Sequence, residues 1–301
     1  MDAAYDPTPG LVAHLEPGLR RVLAPNPSPM TFHGTNTYIL GEGEVAVIDP
    51  GPKDAKHLAA IQAALEPGER VSHILVTHSH LDHSPLASEL SAATGAPIYA
   101  FGDSLAGRSE VMTRLAARGL AGGGEGVDHA FRPHETLVDG AEITVSGLTL
   151  QAIWTPGHLG NHMCFATQDV VFSGDHVMGW ASTMISPPDG DLTDFMRSAR
   201  LLEARTDRVF YPGHGAPIPD PQARVRWLID HRLAREAAIL EALSRAPARV
   251  PAMTREIYTD APPALLSAAE RNVFAHVIDL CQRDLVSARP TLSADAEFVR
   301  N

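Results

Sequence analysis

Cysteine is nearly missing from this chain: Cys164 and Cys281 are the only two in 301 residues. Two cysteines make no disulfide framework, and neither has a CxxC partner, so a thiolate zinc site is excluded. Both read as small apolar fillers in a reducing compartment. Positive charge is also scarce. With 24 Lys and Arg against 36 Asp and Glu, the formal net charge is −12, which argues against a nucleic-acid coat protein or a basic membrane binder. No apolar run approaches the length of a bilayer-spanning helix, and the start, MDAAYDPTPG, has neither the basic region nor the apolar core of a secretory signal. The expectation is a cytoplasmic protein without membrane contact. The rest is ordinary: 44% apolar and 20% charged residues exclude a disordered or rod-like chain and suit one large domain, or a catalytic domain with a small appendage.

Residues 1–30 are rich in Pro and Gly and show no clear period. Beyond them the pattern alternates. Tyr38–Leu40 and Val45–Asp49 read as strands around a Gly41-Glu42-Gly43 turn, Lys53–Leu65 as a helix, Val71–Thr77 as a strand, Ser84–Thr94 as a helix and Pro97–Phe101 as a strand. That order is an α/β signature. Residues 102–128 form an insertion with helical character, ending in the glycines between Gly122 and Gly126. No helix follows them, so they read as a loop and not as a phosphate cradle. Residues 135–178 are β-rich, Asp191–Ala204 is an amphipathic helix and Arg208–Tyr211 a strand. After Pro221 the chain turns almost wholly helical, which places a boundary there: residues 1–219 as the catalytic domain and 220–301 as a helical module. After Leu285 the chain turns to Ser and Pro, with no clear wing hairpin.

Histidine is the unusual count, at 15. Val76-Thr77-His78-Ser79-His80-Leu81-Asp82-His83 follows a strand and packs three His and one Asp into six residues. Imidazole nitrogens with a carboxylate form a ligand set for zinc or a similar first-row ion. His158, Asp175 and His214 each follow an apolar strand in a Gly-containing turn, where functional side chains gather.

The motif His78-x-His80-x-Asp82-His83, followed in order by His158, Asp175 and His214 and preceded by Asp49 in an Asp-Pro-Gly turn, resembles the metallo-β-lactamase-fold hydrolase superfamily. Gly34-Thr35-Asn36-Thr37-Tyr38, Gly157-His158 through His162-Met163, and Tyr211-Pro212-Gly213-His214-Gly215 are similar to the β-lactamase-like branch that carries a C-terminal winged-helix-like module. The resemblance implies a four-layer αββα sandwich. It implies that His78, His80 and His158 hold one metal ion and Asp82, His83 and His214 a second, with Asp175 bridging. The ions would be zinc, with iron or manganese as alternatives, sharing a hydroxide that attacks the substrate. Asp82 would also accept the proton of that water, and Asp49 would fix the ligand loop. His162 stands four after His158, like a helical zinc pair, but in a β-patterned stretch, so a supporting role fits it better. His33 and Trp180 are candidates for the substrate pocket, against the ordinary readings of a loop histidine and a packed tryptophan. His176 follows the bridging Asp and faces either the cleft or the core.

The metal site argues hydrolysis without naming the bond. The leading expectation is a small ester, thioester or lactone. An endoribonuclease acting on RNA is the first alternative, and a mononuclear-iron sulfur dioxygenase the second, disfavoured by the full set of seven ligands. The acid-laden tail, with Val273, Val277 and Leu280 in one apolar stripe, reads as packing or as a homodimer contact.

Overall fold

Strands that are apolar on both faces must be covered on both sides, and that requirement sets the layers here. The computed structural model describes residues 5–123, 126–259, 262 and 265–301. Residues 124 and 125 of the glycine-rich loop and the first four residues lie outside that set. Seven strands form the first sheet in chain order: β1 (Val12–Glu16), β2 (Leu19–Leu23), β3 (Asn36–Leu40), β4 (Glu44–Ile48), β5 (Arg70–Leu75), β6 (Ile98–Ala100) and β7 (Glu135–Thr136). β1 to β4 run antiparallel, and β4 to β7 are parallel. Helices α1 (Ala55–Ala63) and α2 (Leu86–Thr94) supply the crossovers, and α3 (Glu110–Ala117) lies in the insertion. The second sheet has the order β12-β11-β10-β9-β8, built from β8 (Glu142–Val145), β9 (Leu148–Trp154), β10 (Met163–Thr167), β11 (Val170–Gly174) and β12 (Val209–Pro212). Between β11 and β12 runs α4 (Leu192–Glu203), capped by the Asp191 carboxylate.

The alternation along each strand builds the sandwich. Tyr38, Leu40, Ala46 and Ile48 of the first sheet meet Phe165, Phe172 and Tyr211 of the second in one buried cluster. Ile39, Val45 and Val47 point the other way, against Ile61, Leu86 and Leu90 of α1 and α2. Cys164, Ala166 and Val171 likewise point outward, against Phe195, Ala199 and Leu202 of α4. Four layers result: helices, sheet, sheet, helices.

The tail begins with α5 (Pro221–Arg245), then α6 (Val250–Ile257) and α7 (Leu266–Gln282). Val225, Leu228 and Ile229 of α5 join the cluster beneath the second sheet. Ile239 and Leu243, further along, join α6, α7 and Val111, Met112 and Leu115 of α3. α5 therefore packs on both sides of the boundary drawn at residue 220.

Two segments differ from the sequence reading. Residues 1–30 contain β1 and β2. Their pattern is hidden because β2 is Leu-Arg-Arg-Val-Leu and is buried throughout. Arg20 forks onto Glu69 at 2.7 and 2.9 Å, and Arg21 donates to the Tyr5 hydroxyl. A wing hairpin does close the chain: β13 (Val286–Arg289) pairs antiparallel with β14 (Glu297–Arg300). Val286 and Phe298 anchor it in the tail's apolar cluster. Four-residue strands with so few apolar residues leave little alternation to detect.

Candidate metal centre

Each chemistry-bearing loop begins where an apolar strand ends. The segment after β5 carries His78 to His83, that after β9 carries His158, that after β11 carries Asp175 and that after β12 carries His214. They meet at one edge of the sandwich as two buried groups, His78–His80–His158 and Asp82–His83–Asp175–His214. In the first, His80 Nδ1 lies 3.0 Å from His78 Nε2 and 3.0 Å from His158 Nε2. In the second, His214 Nε2 lies 3.3 Å from His83 Nε2 and 3.1 Å from Asp82 Oδ2, and the remaining edge is 3.3 Å. A tetrahedral ion with bonds of about 2.0–2.1 Å has ligand-to-ligand edges of roughly 3.3 Å. Both groups fit such an ion. Asp175 lies between them, with Oδ2 at 3.3 Å from His214 Nε2 and 3.7 Å from His158 Nε2.

Two further observations fit cations. The buried Asp82 Oδ1 and Asp175 Oδ1 have no hydrogen-bond partner among the described residues, a costly state for carboxylate oxygens unless a cation faces them. The histidines are also oriented. His158 Nδ1 lies 2.8 Å from Met184 O, His214 Nδ1 3.1 Å from Gly34 O and His83 Nδ1 2.8 Å from Asp49 Oδ2. His78 Nδ1 lies 2.9 Å from Thr77 Oγ1, whose own proton goes to Asp49. Acceptors on Nδ1 hold the proton there and leave the Nε2 lone pair for the centre.

Charge is divided between the groups. Burial, reinforced by His158, holds His80 down at about 3, and burial also lowers His78 and His158. Burial thus favours the neutral imidazole at all three, the form that could face a metal ion. Burial works against protonation at His83 and His214 too. There the carboxylates win: Asp82 and Asp175 lift His83 well above its usual range, and Asp175 lifts His214 to about 10. The second group gathers positive charge, in the place where a divalent ion would displace protons.

Asp49 ties the loop together. It accepts from Thr77 N and Thr77 Oγ1, both at 2.7 Å, besides His83. His162 Nδ1 lies 2.9 Å from Thr155 Oγ1, and its Nε2 accepts from the Asp175 backbone N–H at 3.3 Å, so it holds the main chain of Asp175. Gly213 makes room: a Cβ there would lie 2.4 Å from Asp175 Oδ1. Thr77, Thr35 (whose hydroxyl donates to Asp82 Oδ2 at 3.3 Å) and Thr183 were not singled out from the sequence. Thr77 abuts the histidine motif and Thr35 lies within Gly34–Tyr38. Thr183 carries no such signal.

Over His80, His158 and Asp175 opens a cavity of about 340 Å3. Met30, Met178, Trp180 and Met184 line it from the catalytic layers, and Tyr258 and Leu265 from the tail. Trp180 is thus a wall, stacked on Phe32 with ring centroids 4.9 Å apart. His33 is not. It packs against Phe32 and Tyr5 and is not among the residues that line the cavity. Nor is His176, which is fully buried with its ring 4.5 Å from Phe195 and faces the core. The chain turns between residues 175 and 176, sending neighbouring side chains to opposite sides.

Comparison with known proteins agrees with this architecture. The metallo-beta-lactamase superfamily profile matches residues 30–214, and that of the beta-lactamase associated winged helix domain matches residues 250–291. The chain belongs to the metallo-beta-lactamase superfamily. It is 36% identical to an atrochrysone carboxyl ACP thioesterase of Aspergillus fumigatus, over 76% of this chain and 66% of that protein. It is 30% identical to the beta-lactamase-like protein 2 homolog of Caenorhabditis elegans, over 91% of this chain and 90% of that one. Among solved structures, a beta-lactamase domain protein from Burkholderia ambifaria superposes with a TM-score of 0.82 at 20% identity, covering 99% of this chain and 96% of that one.

Proposed function

We propose that this superfamily hydrolase cleaves thioesters of apolar acyl groups with the help of two divalent metal ions. The apolar cavity set directly over the ligand cluster carries this reading. His78, His80 and His158 would hold one ion, Asp82, His83 and His214 the other, and Asp175 would bridge them. When bound, the ions supply an acidified water and an electrophilic clamp on the carbonyl oxygen. The chain's own residues do the rest. Asp82 Oδ1, buried and without a hydrogen-bond donor, accepts the proton of the attacking water. Trp180, the methionines and Leu265 hold the acyl group and exclude bulk water. Water adds to the carbonyl carbon, the C–S bond breaks, and the thiolate leaves. A thiol ionises near pH 8.5, so its departure demands less of a general acid than an alkoxide would. The thioesterase relative from Aspergillus supports the same bond class. The RNA reading finds less support, because Arg245 and Arg283 of the tail are paired with Glu241, Glu256, Glu236 and Asp279.

The test is thiol release from acyl N-acetylcysteamine thioesters by metal-loaded protein, with Asp175→Ala as the control. Release that disappears in the variant is expected. Metal-loaded protein that leaves thioesters intact but cuts single-stranded RNA would refute the proposal.

A further inference from the structure

Arg232, in the middle of α5, is a guanidinium buried to 2% exposure. Its hydrogen bonds go to a backbone carbonyl and a side-chain amide, and to no carboxylate among the described residues. A buried cation without an anion is expensive, and an apolar side chain of similar size often gives a more stable protein. The Phe195 ring, its centroid 5.5 Å from Arg232 Cζ, offsets part of that cost. Packing alone therefore does not account for an arginine at this place. Its bonds do.

Nη2 donates to Thr183 O. Nη1 donates at 2.9 Å to Asn272 Oδ1 on α7, and the same oxygen accepts from Ile185 N at 3.2 Å. Asn272 Nδ2 donates to Ala268 O in its own helix, which fixes the amide with its oxygen towards Arg232. Residues 183 and 185 are thus held from behind by α5 and α7. On the other side of this segment, Thr183 and Met184 meet the residues of the candidate metal centre. Met184 O accepts the His158 Nδ1 proton at 2.8 Å. Thr183 Oγ1 lies 2.9 Å from both Asp175 O and His176 O.

We propose that Arg232 and Asn272 are positioning residues of the metal centre, acting through the segment 183–185 on His158 and Asp175. The inference rests on the reading of those two side chains as metal ligands. On it, the helical tail is part of the site's support as well as a wall of its cavity. Loss of the Arg232 fork frees Thr183 O and Met184 O to shift, and with them the orientation of the His158 ring.

The experiment uses the full chain. Metal affinity is measured by competition with a chromophoric chelator, the visible spectrum is recorded with cobalt(II) bound, and Tm is read on chelator-treated protein. The parent is compared with Arg232→Met, Arg232→Lys, Thr183→Val and the exposed α5 control Arg226→Gln. Arg232→Met should keep or raise Tm, bind metal about 10–100-fold more weakly and change the cobalt spectrum, the effect expected when a group orienting a ligand is lost. Arg232→Lys, with a compact ammonium in place of the fork, should recover only part of the affinity. In thioester assays the loss should appear in kcat more than in KM. If Arg232→Met does not fold, Thr183→Val decides, because it removes only the hydroxyl contact to Asp175 and His176. Parental affinity and spectrum in the folded variants would overturn the inference. A parent chain that binds no metal would overturn the ligand assignment itself, and this inference with it.

Discussion

Changing Asp49 to Asn replaces one oxygen by an NH2 group, and the structure says what that does. The Asp49 carboxylate accepts three hydrogen bonds, from Thr77 N, Thr77 Oγ1 and His83 Nδ1, at 2.7, 2.7 and 2.8 Å. An amide has one acceptor atom. With that atom on Thr77 N, the new NH2 faces both the Thr77 hydroxyl and the His83 Nδ1 proton. The hydroxyl can rotate and accept. The imidazole cannot, unless it moves its proton to Nε2, the atom 3.3 Å from Asp82 Oδ2 and from His214 Nε2. Either His83 loses its support or the second candidate ligand group loses a lone pair. A hydrogen bond to a charged group is worth about 1.5–3 kcal/mol, so the metal-free protein should lose that much in urea unfolding. Disturbing a group that orients a ligand costs about 10–100-fold in metal affinity, or roughly 1.4–2.7 kcal/mol. Backbone strain does not confuse the result, because Asp49 sits at φ 50°, where Asn is at least as well tolerated. Chelator competition on the folded variant is the assay. Parental affinity for both ions in Asp49→Asn would refute the reasoning.

Gly213→Ala should also strip metal, since its Cβ would fall 2.4 Å from Asp175 Oδ1 and 2.7 Å from His83 Cε1; elemental analysis showing parental metal content would contradict the close-approach argument. Stability should fall in acid through His57. Burial, only partly opposed by Asp54, holds this side chain at about 4, against about 6.5 in the unfolded chain. A depressed folded pKa means the unfolded state takes up the proton first. The stability is present above about pH 6.5 and is lost as pH falls towards 4, and from about pH 7.5 to about pH 4.5 this one group should cost roughly 2–3 kcal/mol. In urea titrations, His57→Gln should flatten that dependence by the same amount, and an unchanged slope would remove His57 from the account.

What was legible in the sequence is what is local in the chain. β4 carries a continuous apolar run from Val45 to Ile48 and β5 ends in Ile74-Leu75, and the histidine motif follows β5 within a few residues, so strand and candidate ligands appear together. β2 was not legible, because Arg20 and Arg21 are buried by partners, Glu69 and Tyr5, that lie far away in sequence. The cavity was only partly legible for the same reason. Trp180 could be named, but part of the lining comes from Tyr258 and Leu265 of the tail, and nothing near the histidine motif points to them. His176 shows the limit of adjacency: it stands next to Asp175 and yet turns into the core against Phe195. The deepest gap concerns the orientation of His158. Its Nδ1 is held by the carbonyl of Met184, and a main-chain carbonyl is offered by every residue type alike. No residue pattern could announce that contact. What can be encoded is the means of holding the carbonyl in place, and here that means is a charged side chain in a helix of the tail, where an apolar one would have packed at lower cost.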